Sequence, residues 1–339
     1  MYSRDDISPE LRSARHKIQT WVPILSVEDK NILLDKLERY RCDRAVDLFI
    51  YKLLPHADAF NLSDKSSGEL LSSGLICFCG ALLFSMCKFT EIRKLDSIFD
   101  LTLLYMLVDH YLDNIQIDSQ SKKATISKML LLLENPELSG TEDKFLTEIV
   151  ETYNRLRENC PTSHSWLKKV FLAEVEGVKI QSNATLDRAT YLKIAEKKGG
   201  LTSVAIQSLY SNEIADHDYD LGACIQLIDD MLDVHVDIKN DINTIATHDL
   251  QTIGSLDELL YYTIDKVYNL PSVFNAYKPI MMGVILYLVS KNEVFSPIIV
   301  WYMQPLILAD YAKGLDAMQL LNTIINHKLS KLIDELTVI

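Results

Sequence analysis

The sequence predicts an all-α fold, and three observations carry the prediction. Eleven glycines and nine prolines in 339 residues are about half of average usage, so few points interrupt a helix. Hydrophobic residues make up 48% of the chain, enough for long helices around one large core. Acidic side chains also recur every fourth residue inside apolar stretches: Asp109 and Asp113 in YMLVDHYLDN, and Asp229, Asp233 and Asp237 in QLIDDMLDVHVD. On a helix that spacing stacks carboxylates on one face. No linker or shift of composition divides the chain, so one helical domain over 1–339 is expected.

Residues 1–60 read as two or three amphipathic helices, with breaks at Pro23 and Pro55. DKSSGELLSSG (64–74) is a turn cluster, followed by a nearly continuous apolar helix to Cys87. A second apolar helix runs from about Leu95 to Asn114 and ends in the first acidic pair, and the polar IQIDSQSKK then reads as a loop. One or two amphipathic helices over 121–160 close at NCPTSHS, and another helix follows through WLKKVFLAEVEGVKIQSN. TLDRATYLKIAEKKGGLTSVAIQSLYS predicts a helix, an irregularity at Gly199-Gly200, and a resumed helix. SNEIADHDYD is a polar connection, LGACIQLIDDMLDVHVDI the second acidic helix, and the polar run from Lys239 to Asp249 a mobile loop. Three helices near 255–269, 275–291 and 297–334 complete the chain.

The net charge of −13 and pI near 5.1 speak against nucleic acid or an anionic membrane surface as a main partner. Six cysteines without a CxxC pair, most of them in apolar runs, fit buried thiols in a reducing compartment. The polar, acidic start MYSRDDISPELRS is unlike a secretory signal. The longest apolar run, Gly74 to Cys87, falls short of the roughly 20 residues of a membrane span. A cytoplasmic protein without a transmembrane segment is the expectation.

Apolar residues before and between the aspartates imply that the acidic faces look inward. Inward carboxylates repel one another unless a cation sits among them. A hard divalent cation, Mg²⁺ or Mn²⁺ in its place, is held by one or two carboxylates, waters and substrate phosphates. The two clusters together therefore point to a diphosphate site with Asp109, Asp113, Asp229, Asp233 and Asp237 as metal ligands and Asp230 beside them. His110 stands one residue off the carboxylate face, which reads as packing or solvent contact. Lys197 and Lys198, next to the Gly199-Gly200 step, are the residues able to reach a phosphate oxygen as point charges.

Three stretches resemble the trans-isoprenyl diphosphate synthases of the class I isoprenoid synthase superfamily. LLYMLVDHYLDN resembles the first aspartate-rich motif, DDxxD. YLKIAEKKGGLTSVA resembles the helix that carries a diphosphate-binding lysine in a KTGGL-like setting, a role that falls to Lys197. LGACIQLIDDMLDV resembles the second motif, with Gln226 and the DDxxD of Asp229, Asp230 and Asp233. The resemblance covers about residues 65–250, leaving N-terminal helices over 1–60 and C-terminal ones over 255–339. It implies a helical bundle around a central apolar cavity, Mg²⁺-assisted departure of diphosphate, an allylic cation, and a homodimer formed through long helices. It also makes Tyr105, one turn before Asp109, the floor of the prenyl pocket.

The departures from that family concern its second substrate. His110 replaces an aspartate of the first motif. The two arginines that follow it in prenyl-elongating members correspond to Asp118 and Ser119, with Lys122 and Lys123 further along. The basic segment ahead of the first motif is replaced by SSGELLSSGLICF. This pattern resembles the terpene synthases of the superfamily, which ionise a single prenyl diphosphate, and Asp229 to Asp237 keeps the ligand spacing of their (N/D)DxxSxxxE motif. The stretch satisfies both templates imperfectly. The preferred expectation is a terpene synthase, a carbon–oxygen lyase. A prenyltransferase that condenses isopentenyl diphosphate is the runner-up, and a non-catalytic regulatory subunit of the same fold comes third.

Overall fold

The computed structural model describes residues 3, 6–21, 49, 51–53, 56, 74, 77–78, 80–81, 95–113, 117–135, 144–181, 186–210, 214–250, 254–275, 277–291 and 294–307. For Asp109, His110, Asp113, Ser119 and 178–181 it describes the backbone alone. Of the described residues 86% are helical and none lies in a strand, as the composition predicts. In chain order the helices are α1 (Pro9–Trp21), α2 (Leu95–Asp113), α3 (Ser119–Glu134), α4 (Lys144–Asn159), α5 (His164–Gln181), α6 (Arg188–Ser208), α7 (Asp216–Leu232), α8 (Val234–Lys239), α9 (Ile245–Asp249), α10 (Asp257–Asn269) and α11 (Tyr277–Lys291). A further helical stretch covers 297–307. Of the expected turn cluster over 64–74 and apolar helix to Cys87, all but 74, 77–78 and 80–81 lie outside the described residues. So do most of the N-terminal helices expected over 1–60 beyond Trp21, and the part of the helix expected over 297–334 that follows 307.

The chain divides into two compact units. One comprises Met1–Leu34, Glu176–Val204 and Ala215–Met318; the other comprises Asp35–Val175, Ala205–Ile214 and Gln319–Ile339. In the second unit α4 packs on α2 and α3. The α4 sequence KFLTEIVETYNRLREN buries Leu146, Ile149, Val150, Tyr153 and Leu156, a helical stripe whose far side is charged. α2 is apolar nearly all round, and Ile98, Leu103, Leu104, Met106 and Leu107 are each buried, as in a central core helix. Asp100 is a charged residue that α2 buries in this packing, along with the polar Ser97 and Thr102. Burial pushes its carboxyl up, and Arg155 of α4 offsets the cost with a hydrogen bond from Nε at 3.1 Å.

In the first unit α1, α7, α10 and α11 pack together. Leu11, Ala14 and Ile18 of α1 and Leu259, Leu260, Ile264 and Val267 of α10 are buried. Each fully buried Leu or Ile contributes about 1.5–3 kcal/mol, so these stripes dominate over the partly exposed ion pair from Lys17 to Asp265, which is worth about 0–1 kcal/mol. Cys77, Cys160 and Cys224 are thiols rather than halves of disulfides, and the latter two are buried. Among the described residues no helix is long and apolar enough to cross a membrane.

Four sequence expectations change. The loop placed over 115–123 is shorter, because Asp118 accepts hydrogen bonds from the Gln120 and Ser121 amides and so starts α3 at Ser119. The polar connection over 211–220 ends early: α7 begins at Asp216, where the Asp218 carboxylate accepts from the Ala215 amide. α6 runs through Gly199-Gly200 without interruption. The stretch 239–249 is ordered rather than a loose loop. Asn240 closes α8, Asp241 takes the left-handed conformation with a φ of 57°, and Thr244 caps α9, whose Ile245 and Ala246 are buried. Arg188 then grips both carboxylate oxygens of Asp249 at 3.0 and 2.8 Å. The polarity that reads as mobility consists of caps and an ion pair.

Candidate functional site

The second acidic segment is built on the crossing of α6 and α7. Gly199 and Gly222 lie backbone to backbone there: a Cβ on Gly199 would come 2.3 Å from the Gly222 carbonyl oxygen, and one on Gly222 would come 2.1 Å from that of Gly199. A Cβ on Gly199 would also meet Cβ of Gln226 at 2.6 Å, and one on Gly200 would meet the Tyr219 ring at 2.5 Å. The glycine pair is thus a contact surface, and the crossing fixes the rotation of both helices. One turn earlier on α6, Glu196 accepts a hydrogen bond from the Tyr262 hydroxyl at 2.7 Å and pairs with Lys266 at 3.1 Å.

That rotation decides which aspartate goes inward. α7 buries Leu221, Cys224, Leu227, Ile228 and Met231, and Asp230 goes in with them at 7% exposure. Asp229 and Asp233 are exposed. Gln226, one turn before Asp230, donates from Nε2 to its Oδ1 at 2.8 Å. Burial raises the Asp230 carboxyl to about 6, against the opposing effects of the Gln226 bond and the Lys198 charge, with Asp233 adding repulsion.

α7 ends at Leu232, and Asp233 sits at the junction with α8 at φ −92° and ψ 3°. The Asp233 amide still bonds to the Asp229 carbonyl at 3.0 Å, and the Asp237 amide to that of Asp233 at 2.8 Å. The expected single straight helix therefore bends at Asp233, a residue in the sparsely populated bridge region. Asp237 follows on α8. Burial and the charges of Asp230 and Asp233 raise its carboxyl to about 7, while the Thr244 hydroxyl, 3.5 Å from its Oδ2, and Lys198 act the other way. Asp230, Asp233 and Asp237 thus form one electrostatically coupled set, with Lys198, Gln226 and Thr244 around it.

Lys197 stands elsewhere, in an ion pair with Glu176 of α5. Asp109 and Asp113 occupy the last two turns of α2, and Tyr105, half-buried, lies one turn before Asp109. Among the described residues no three His, Cys, Asp or Glu side chains are gathered closely enough to hold a metal ion. The nearby donors are oxygens, the kind a hard cation prefers: the Asp230, Asp233 and Asp237 carboxylates, which repel one another, and the Thr244 hydroxyl, which donates to Asp237. With too few protein ligands for a closed cage, an ion there would complete its shell with water or phosphate oxygens, the set Mg²⁺ prefers. Sequence reasoning missed Thr244 and Glu176. The Thr244-to-Thr247 capping pattern is readable in NTIATHD, whereas nothing in the sequence marks Glu176 as the partner of a lysine 21 residues away.

No protein-family profile, curated protein or solved structure matches this chain.

Proposed function

We propose that the protein ionises a linear allylic prenyl diphosphate and releases diphosphate, as a class I terpene synthase does. The observation that carries this reading is the coupled set of Asp230, Asp233 and Asp237 beside a lysine of α6. Clustered carboxylates raise one another's affinity for protons, and a divalent cation relieves the same repulsion without neutralising the oxygens as ligands. Asp229, Asp233 and Asp237 are the residues of α7 and α8 that would hold Mg²⁺, and Asp109 and Asp113 are those of α2 proposed for that role. The cation supplies Lewis-acid neutralisation of the departing diphosphate.

The side chains have distinct tasks in this reading. Gln226 holds the Asp230 carboxylate in one orientation through its amide, and Thr244 does the same for Asp237. An α6 lysine adds a positive contact to a diphosphate oxygen. The leaving group departs without an attacking residue, so no nucleophile or general base is needed. Apolar walls keep water from the cation until it cyclises or loses a proton.

The lyase reading is preferred over chain elongation because of Asp118. Where prenyl-elongating enzymes carry arginine, this chain uses an aspartate to cap α3, with its oxygens on the Gln120 and Ser121 amides and the Ser121 hydroxyl. Lys122 favours the runner-up: it reaches back to the Leu112 carbonyl and so brings a positive charge to the end of α2. Product analysis separates the two. Incubation with farnesyl diphosphate and Mg²⁺, with and without isopentenyl diphosphate, is expected to give the same hydrocarbon or alcohol in both arms. Consumption of isopentenyl diphosphate into a longer linear diphosphate would make the protein a transferase.

A further inference from the structure

α9 is five residues long, too short to persist without contacts at its ends. Its last two residues sit on the first turn of α6. Asp249, whose side chain is 6% exposed, takes Arg188 Nε on both oxygens at 3.0 and 2.8 Å. The ring of His248 lies 4.9 Å from that of Tyr191, which follows Arg188 by three residues on the same face of α6. At the other end of α9, Thr244 holds two partners through one hydroxyl. The oxygen accepts from the Thr247 amide at 3.3 Å, and the proton is directed to Asp237 Oδ2 at 3.5 Å. The Thr247 hydroxyl accepts in turn from the Thr244 amide at 2.7 Å. The Ile242 amide closes the preceding turn onto the Asp237 carbonyl at 2.8 Å. Arg188, α9 and Asp237 all belong to the first compact unit, and they form one continuous run of contacts.

We infer that Arg188 is a positioning residue for the acidic set: through Asp249 it fixes α9 on α6, and α9 fixes the Thr244 hydroxyl on Asp237. This rests on the reading above of Asp237 as a metal ligand. A carboxylate buried as deeply as Asp249 is costly without a cation beside it, so loss of Arg188 frees the end of α9 rather than leaving the charge in place. A five-residue helix released at one end frays through its whole length. The cap at Thr244 then loosens, and Asp237 loses the partner that orients it. A ligand that must be ordered at the moment of binding holds its metal more weakly. In this role Arg188 touches neither the cation nor the substrate, so it acts on metal affinity and not on binding of the prenyl chain.

The test uses the full chain, with amide hydrogen exchange on the ligand-free protein and titration calorimetry of Mg²⁺ in the presence of inorganic pyrophosphate. Arg188→Ala is expected to speed exchange at the His248 and Leu250 amides, which bond to the Thr244 and Ala246 carbonyls at 3.0 Å each. Thr244→Val is expected to weaken Mg²⁺ binding about tenfold, the lower range for a group that orients a ligand, with Thr244→Ser recovering most of it. Arg188→Ala is expected to weaken it several-fold. The double variant of Arg188→Ala with Thr244→Val should lose no more than Thr244→Val alone, because both changes break one path. With farnesyl diphosphate, Arg188→Ala should lower kcat at limiting Mg²⁺, and saturating Mg²⁺ should restore the parent kcat and KM. Arg188→Lys, which keeps the charge, serves if the alanine variant fails to fold and should show the same losses in weaker form. Unchanged exchange, parent Mg²⁺ affinity in the folded Arg188 variants, or losses that add in the double variant overturn the inference and leave the diphosphate reading intact. Failure of the unaltered protein to bind Mg²⁺ with pyrophosphate overturns both.

Discussion

Asp237 is the most perturbed carboxyl of the acidic set, held at about 7 against an ordinary value of 3.8 by burial and by Asp230 and Asp233. A carboxyl raised in the folded state keeps its proton there after the unfolded chain has lost it. The stability it contributes is full below 3.8 and is lost as pH rises through about 7. Asp237→Asn should therefore match the parent near pH 4 and exceed it near pH 8, by about 1–2 kcal/mol once solvent screening at this partly exposed site is allowed for. Thermal melts of both proteins across that range check this, and a difference that does not grow with pH contradicts it. On the proposed reading Asp229→Ala and Asp109→Ala should each abolish turnover while keeping the helical circular dichroism signal, since each would lose a carboxylate proposed as a metal ligand. Turnover at the parent rate in either variant would remove that aspartate from the ligand set. The intervals between these aspartates are legible in the sequence. The inward turn of Asp230 and the outward turn of Asp229 are not, because the two neighbours differ only by one helical step and the partner helix α6 decides between them.

Glycines give the strongest test among the helices. Gly222→Ala would drive a methyl to 2.1 Å from the Gly199 carbonyl oxygen, an atom of a helix backbone that has no rotamer to escape into. A loss of about 3 kcal/mol is expected, the upper range for overpacking, read as a lowered urea midpoint. Gly177→Ala on α5 meets nothing within 4 Å and should instead stabilise by about 0.5–1 kcal/mol, the usual helical gain over glycine. Equal effects from the two changes would refute the close crossing. The same comparison explains why the sequence misplaced an irregularity at Gly199-Gly200: a glycine that breaks a helix and one that admits a neighbouring helix look alike until the neighbour is known. The amphipathic stretch over 121–160 left open whether it held one helix or the two observed. α2, by contrast, was readable to within a residue, because an apolar run is a property of the segment itself. The misread loop over 239–249 has the opposite cause. Its polar residues form the local Thr244–Thr247 cap and the Arg188–Asp249 pair, whose two partners lie far apart in the chain.

A molecule with a net charge of −13 has few reasons to attract a diphosphate unless cations arrive with it. Mg²⁺ and pyrophosphate added together should therefore raise the melting temperature more than the sum of either alone, since the pair binds only the folded state and each ligand completes the other's contacts. All-helical character and the absence of an apolar membrane-length helix among the described residues accord with the composition, whereas activity depends on a few oxygen atoms that composition does not reach. The most direct measurement is release of inorganic diphosphate from geranyl, farnesyl and geranylgeranyl diphosphates by the purified protein, with Mg²⁺ and with a chelator. The account predicts release from at least one of the three, dependent on Mg²⁺ and lost in Asp229→Ala. No release from any of them at saturating Mg²⁺, by a protein whose melt shows it to be folded, would contradict it.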